Sequence, residues 1–316
     1  MDGSIFLVSE RIITLFLIVF AGIYARRIKI LDWGTTKKLS ALLINITQPM
    51  LIITSFQIDF DAEKLKQGAG IFGLSAVLHI FFAALTFLLF KPVKDFEERK
   101  VYQLSTIFAN CAFLGFPVLQ VVFGDDLGIF YGAFYAMFFN IFIWTYGVYL
   151  ISKKDNNENK IKLPVKKIFL NAGMISCVTG IILFALRIKL PSFLFNSAKL
   201  VGDMTFPLAM LIIGALIYDV KLKYIFANKK NYYFVFIKLI LLPVLVLFAC
   251  RFLKLPDLYI YMGALMTAMP SAANAAIFAE TYESDAKCGA ANVGLSTLFS
   301  IASIPFIIWL IEWAIK

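Results

Sequence analysis

The sequence predicts an all-α polytopic membrane protein: ten transmembrane helices in two inverted five-helix repeats. Three observations lead there. The 316 residues are 61% hydrophobic and 16% charged, with a mean hydropathy of +0.83, whereas a soluble domain has about a quarter of its residues charged. Apolar stretches of about 20 residues, the length that crosses a bilayer, recur along the whole chain. The longest polar stretch, Ser152 to Lys167, divides the expected spans five and five. An odd number of spans per half turns the second half upside down, as in many secondary transporters.

The spans follow in order. The first, 5–25, has Arg26 and Arg27 after its apolar run and not before it, which reads as an anchor with its N-terminus outside and not as a cleavable signal. The second, 38–58, carries Asn45 and Gln48 about one turn apart, followed by Pro49. Polar side chains at that depth face protein or a water-filled cavity, and Pro49 reads as a kink. The third, 68–90, holds His79, the single histidine. It cannot build a multi-histidine metal site, so core packing is expected of it. The fourth, 102–122, contains NCAFLGFP from Asn110 to Pro117, and the fifth is 128–150. The sixth is 168–187. The seventh, 198–218, contains TFPLAMLII from Thr205, an echo of TQPMLII from Thr47. The eighth, 231–251, encloses Lys238 and Pro243. Lys238 is about 10 Å from the helix end, so its ammonium is expected to snorkel to the headgroups. The ninth, 258–281, contains AMPSAAN from Ala268 to Asn274, then Glu280 near its end; the tenth is 288–312.

These spans leave no room for a soluble domain. The chain therefore divides into a first repeat, 1–151, a linker, 152–167, and a second repeat, 168–316. The net charge of +10 is a matter of topology. The odd-numbered loops with the span ends that flank them carry 20 of the 30 Lys and Arg, and the other side, termini and flanking span ends included, carries 9. The positive-inside rule puts the 20 in the cytoplasm and both termini outside, so no nucleic-acid partner is implied. Cys111, Cys177, Cys250 and Cys288 are scattered without a CxxC pair, so neither a disulfide framework nor a metal site is expected.

The fourth and ninth spans carry the functional expectation. Proline lacks an N–H and clashes with the preceding turn, yet it starts a helix well. Pro117 and Pro270 are expected to break their spans and to open second half-helices, with Gly115 supplying close approach or unusual backbone angles. Each new N-terminus offers free N–H donors and roughly +0.5 of an elementary charge. Two such ends converging at mid-membrane would favour an anion. Asn110 and Asn274 sit on the faces that would point to the crossing. Ser271 is expected either to bind there or to cap the second half-helix. Gln48 and Asn45 would add contacts from the second span, and Lys238 and Glu280 are candidates for a counter-ion or gate. The offsets of Thr47 and Thr205, Pro49 and Pro207, Pro117 and Pro270, and Asn140 and Asn292 run from 152 to 158 residues, consistent with an internal repeat.

At these residues the chain resembles a known family. Asn110, Gly115 and Pro117 resemble the fourth helix of the auxin efflux carrier family, which includes the plant PIN carriers and bacterial organic-anion permeases. Ala268, Pro270, Phe278, Ala279, Glu280 and Tyr282 resemble its ninth helix, and Asn140, Trp144, Thr145 and Gly147 are similar to its fifth. The resemblance implies a fold related to bile-acid/sodium symporters, with broken helices 4 and 9 crossed. Helices 1, 2, 6 and 7 would be a scaffold, and helices 3–5 and 8–10 a mobile transport domain. It implies alternating-access transport of small carboxylates such as malonate, malate, lactate or auxin-like acids, and a homodimer in a bacterial cell membrane. The central loop is far shorter than in the PIN carriers, which departs from plant-type regulation and from auxin as the natural substrate.

Three other readings stand beside it. A cation/proton antiporter would need intramembrane acids, and the central portions of spans 3, 4, 5, 8 and 9 contain no carboxylate. A carboxylate-binding membrane sensor would differ only in lacking flux. An intramembrane enzyme has no support: neither HExxH nor GxSxG occurs. No cofactor is expected, and sodium and proton coupling are both compatible with the residues.

Overall fold

A computed structural model describes residues 2–153, 170–219 and 228–315. Among them every regular element is helical. The order is α1 (Asp2–Arg27), α2 (Trp33–Leu42), α3 (Gln48–Ser55), α4 (Ala62–Leu89), α5 (Phe96–Ile107), α6 (Phe116–Phe123), α7 (Asp125–Phe142) and α8 (Val148–Ser152). After the linker come α9 (Ala172–Ala185), α10 (Ser192–Asp203), α11 (Thr205–Asp219), α12 (Lys229–Phe236), α13 (Leu242–Phe252), α14 (Asp257–Ala268), α15 (Asn274–Thr281) and α16 (Ala286–Ile315). Apart from 152 and 153, the 152–167 linker lies outside the described residues. Among the described residues five helical stretches are long and apolar enough to cross a membrane: Ala62–Leu89, Asp126–Ser152, Ser192–Tyr218, Lys229–Phe252 and Ala286–Ile315. The chain is an integral membrane protein.

Four π-helical turns interrupt these helices: Leu43–Thr47, Cys111–Gly115, Ile143–Gly147 and Ile237–Leu241. Three of them end two residues before a proline, namely Pro49, Pro117 and Pro243. The proline ring clashes with the carbonyl four residues back and has no N–H to offer it. The wider i→i+5 turn lets the helix continue through the ring. These prolines therefore mark a widened turn and not a stop.

Four helices stop with a non-glycine residue in the left-handed region: Lys29, Arg187, Lys254 and Glu283, at φ 53° to 64°. The next N–H in each case reaches five residues back, as Ile30 does to Ala25 and Leu255 to Cys250, both at 3.0 Å. This is the Schellman closure of a helix end, usually built on glycine.

The chain forms two compact units, 1–73 with 112–137 and 169–219, and 74–111 with 138–168 and 220–316. In the first, α1 lies against α11. A Cβ on Gly22 would sit 2.3 Å from the Leu211 carbonyl oxygen, and one on Gly214 2.1 Å from that of Val19. Small residues let membrane helices approach to backbone contact. Helix α3 packs between α9 and α10, with Phe56 packed in tilted and edge-on contact with Phe130, Phe134 and Phe184 at ring separations of 4.7 to 6.5 Å.

In the second unit α16 packs against α14 and α15, and α13 against α14. Tyr102 on α5 donates to Asn231 Oδ1 on α12 at 2.7 Å. The buried Lys100 ammonium donates to the carbonyls of Ile151 (3.0 Å) and Lys153 (2.6 Å) at the end of α8. It also pairs with Glu97 at 2.9 Å.

Candidate functional site: the crossed helix breaks

Two helices of the second unit are interrupted at depth. Helix α5 ends at Ile107, and Phe108 leaves helical angles for φ −98°, ψ 102°. Helix α14 ends at Ala268, and Met269 turns extended at φ −63°, ψ 144°. The two extended segments meet as a single antiparallel bridge between Ala109 and Ser271. Asn110 N–H donates to Pro270 O at 2.7 Å, and Ala272 N–H donates to Phe108 O at 2.9 Å. An unpartnered backbone group in lipid costs several kcal/mol. Each break supplies the groups that the other needs.

Side chains complete the crossing. Ser271 is fully buried. Its hydroxyl donates to Ser105 O on α5, and its N–H donates to Ser296 Oγ on α16 at 3.0 Å. Ser296 Oγ in turn donates to Asn292 O at 2.6 Å, and Asn292 Nδ2 donates to Ser105 Oγ at 3.2 Å. Asn292 Oδ1 is buried without a partner among the described residues. Helix α15 begins at Asn274 with no side-chain cap, since Ala273 stands at its N-cap. Asn274 is half-buried there, and its amide makes no hydrogen bond among the described residues. The crossing thus presents an uncapped helix N-terminus with an accessible amide beside it.

A family model described as membrane transport protein matches residues 7–308. The chain belongs to the auxin efflux carrier family. That is a family of membrane transporters and not of enzymes. A search of curated proteins finds no match.

The transporter's structure corrects several expectations. Pro117 does not break its helix: the interruption is at Phe108–Asn110, and Pro117 sits in α6 after the π turn. The bridge pairs residues 162 apart, so Pro117 is not the counterpart of Pro270. Gly115 has ordinary helical angles, φ −63° and ψ −50°. Ser271 does not cap α15, because its hydroxyl is committed to α5. Lys238 does not snorkel: it is 1% exposed and donates to Thr267 O at 3.4 Å. Asn45 and Gln48 do not share an environment. Gln48 is buried, while Asn45 is exposed and donates to Ala41 O in its own helix at 2.8 Å. The π turn Leu43–Thr47 rotates the face between them.

The remaining candidates are placed as follows. Asn110 contributes its backbone to the bridge and is 8% exposed. Pro270 contributes its carbonyl. Glu280 lies exposed near the end of α15. Asn45, Gln48, Gly115 and Pro117 belong to the first unit. His79 is buried against Phe108, Phe138, Phe139 and Phe142, at ring distances of 5.9 to 6.0 Å. Its Nδ1 lies 2.7 Å from Ser75 O.

Sequence reasoning missed Ser105, Thr267 and Ser296, and took Asn292 only as a repeat echo. A signal existed on the last helix. Asn292, Ser296 and Ser300 recur every four residues, on one helix face, and all three are fully buried.

Proposed function

We propose that this family member is a secondary transporter of small organic anions, carboxylates of the size of malonate, malate or lactate, working by alternating access. The observation that carries the reading is the uncapped N-terminus of α15 at the helix crossing, with the Asn274 amide beside it. A positive dipole end favours a carboxylate, while the Ala275 and Ala276 N–H groups of the first turn already donate to the carbonyls of Ala272 and Ala273. Asn110 completes the recognition from the other break. In this reading helices 1, 2, 6 and 7 serve as scaffold and the rest as the moving part. The protein is a homodimer of a bacterial cell membrane with both termini outside.

Binding of malonate, malate, lactate and indole-3-acetate to the purified protein, with the matching amides as controls, tests the reading. Each hydrogen bond to a charged group contributes about 1.5–3 kcal/mol, and about 1.4 kcal/mol is one decade of affinity. Asn274→Ala should therefore weaken acid binding roughly ten- to a hundredfold. Asn274→Asp should be worse, since it sets a negative charge against the anion. Equal affinity for acid and amide defeats the anion site, and binding without flux in proteoliposomes makes the protein a sensor.

A further inference from the structure

Lys238 is a buried amine with no carboxylate partner among the described residues. It lies in the π turn Ile237–Leu241, inside the long apolar stretch Lys229–Phe252. It is 1% exposed, and no acidic side chain pairs with it among the described residues. The ionisable groups that face it are the thiol of Cys111 and the ring of His79, neither of which is an acid partner. An intramembrane charge survives only against an opposite charge, a water-filled cavity or backbone carbonyls.

The partner here is a carbonyl of a particular kind. Thr267 is the last residue but one of α14, two residues before the break at Met269. Its oxygen belongs to the last four carbonyls of that helix, which have no intrahelical donor. The dipole gathers roughly −0.5 of an elementary charge there. An interrupted membrane helix leaves such an end at mid-membrane, where transporters commonly place a sodium ion or proton. In this chain the Lys238 Nζ, on a four-carbon tether, lies 3.4 Å from the Thr267 carbonyl at that end.

We propose that the Lys238 ammonium is a built-in cation at the helix crossing. It neutralises the C-terminal end of α14 in the place of a dissociable alkali cation, so the crossing is held together without sodium. π turns are frequent at functional sites, and this one carries Lys238 on its buried side. The inference concerns the cation and stands apart from the identity of the transported anion.

Thermal unfolding of the purified full chain, without substrate, tests it in sodium, potassium, ammonium and choline chloride at equal ionic strength. The wild type should unfold at the same temperature in all four. Lys238→Ala should unfold several degrees lower and recover in sodium or ammonium but not in choline, because a small cation can enter the vacated space. Lys238→Met, which fills that space without charge, should be destabilised and rescued by no salt. A saturable sodium stabilisation of the wild type would overturn the proposal. So would a Lys238→Met protein as stable as wild type, or a folded Lys238→Ala protein indifferent to cations. Should Lys238→Ala fail to fold, Lys238→Met and the wild-type salt series still decide. Loss of carboxylate binding in the wild type would defeat the anion reading and leave these stabilities unchanged.

Discussion

Replacing Ser271 by alanine tests whether the two breaks stabilise each other. In an unbroken helix the Ser105 carbonyl would accept the N–H of Ala109, four residues on. Ala109 instead lies in the extended bridge, and the Ser271 hydroxyl takes its place at Ser105. Alanine would leave that buried carbonyl orphaned while sparing both backbone bonds of the bridge. An orphaned buried acceptor costs about 1–3 kcal/mol. At about 2–4 °C per kcal/mol for chains of 150–250 residues, Ser271→Ala should lower the unfolding temperature by roughly 2–12 °C. Ser300→Ala is the control. Ser300 is equally buried, but its hydroxyl donates to Thr297 O within its own helix at 2.7 Å, where the carbonyl keeps a helical partner. The assay is tryptophan-fluorescence melting in detergent. Equal melting of Ser271→Ala and Ser300→Ala would refute the view that each break is held by the other.

Three further outcomes are expected. Gly22→Leu should abolish a monodisperse size-exclusion peak, since any Cβ there meets the Leu211 backbone, whereas Gly73→Ala, with nothing within 4 Å, should be silent. The Asp32 carboxylate accepts from Thr35 N–H at 2.6 Å, and that backbone bond holds its carboxyl below the usual 3.8. A folded value lower than the unfolded one means the cap is complete at neutral pH and fades as pH falls through the lowered value; amide exchange at Thr35 should accelerate there, and in Asp32→Ala at every pH. A single cysteine at Asn157, with the four native cysteines removed, should resist an impermeant reagent in intact cells and react in inverted vesicles; labelling in intact cells would reverse the topology.

The helical, membrane-spanning class was legible because burial in lipid demands long apolar runs, and composition alone displays them. The places where helices stop were not. Lys29, Arg187, Lys254 and Glu283 close their helices in the left-handed region, where glycine or asparagine would have been the readable signal. Proline misled in the fourth span for a related reason. It is the strongest helix breaker in water, but a π turn before Pro117 absorbs the clash, so the visible residue is not the broken one. The actual break, at Phe108 to Asn110, contains no proline or glycine. It is stabilised by Pro270 and Ala272 some 160 residues away, and a pairing at that distance leaves no local trace. Asn110 and Ser271 were nonetheless legible, because polar residues flanked by apolar ones at mid-span need a partner. Asn45 was misjudged because its own helix supplies that partner.

The helix ends of this transporter are treated unequally, and the inequality bears on function. Three carbonyl ends meet lysines. Lys100 holds the end of α8, Lys189 donates to Gln57 O after α3 at 2.7 Å, and Lys238 holds the end of α14. The N-terminus of α15, at the crossing, has no capping side chain at all. A helix interrupted in the membrane creates one positive and one negative end together. On the proposal above, a tethered ammonium neutralises the negative end and no side chain covers the positive one, which would give the break a net positive field. An anion would then meet attraction from α15 without repulsion from α14, and no dissociable cation is required to produce it. On that account Lys238→Met should weaken carboxylate binding although Lys238 need not touch the ligand. Asn274→Ala should weaken it by direct loss of a bond. The double variant should lose more than either, because a field and a contact act independently.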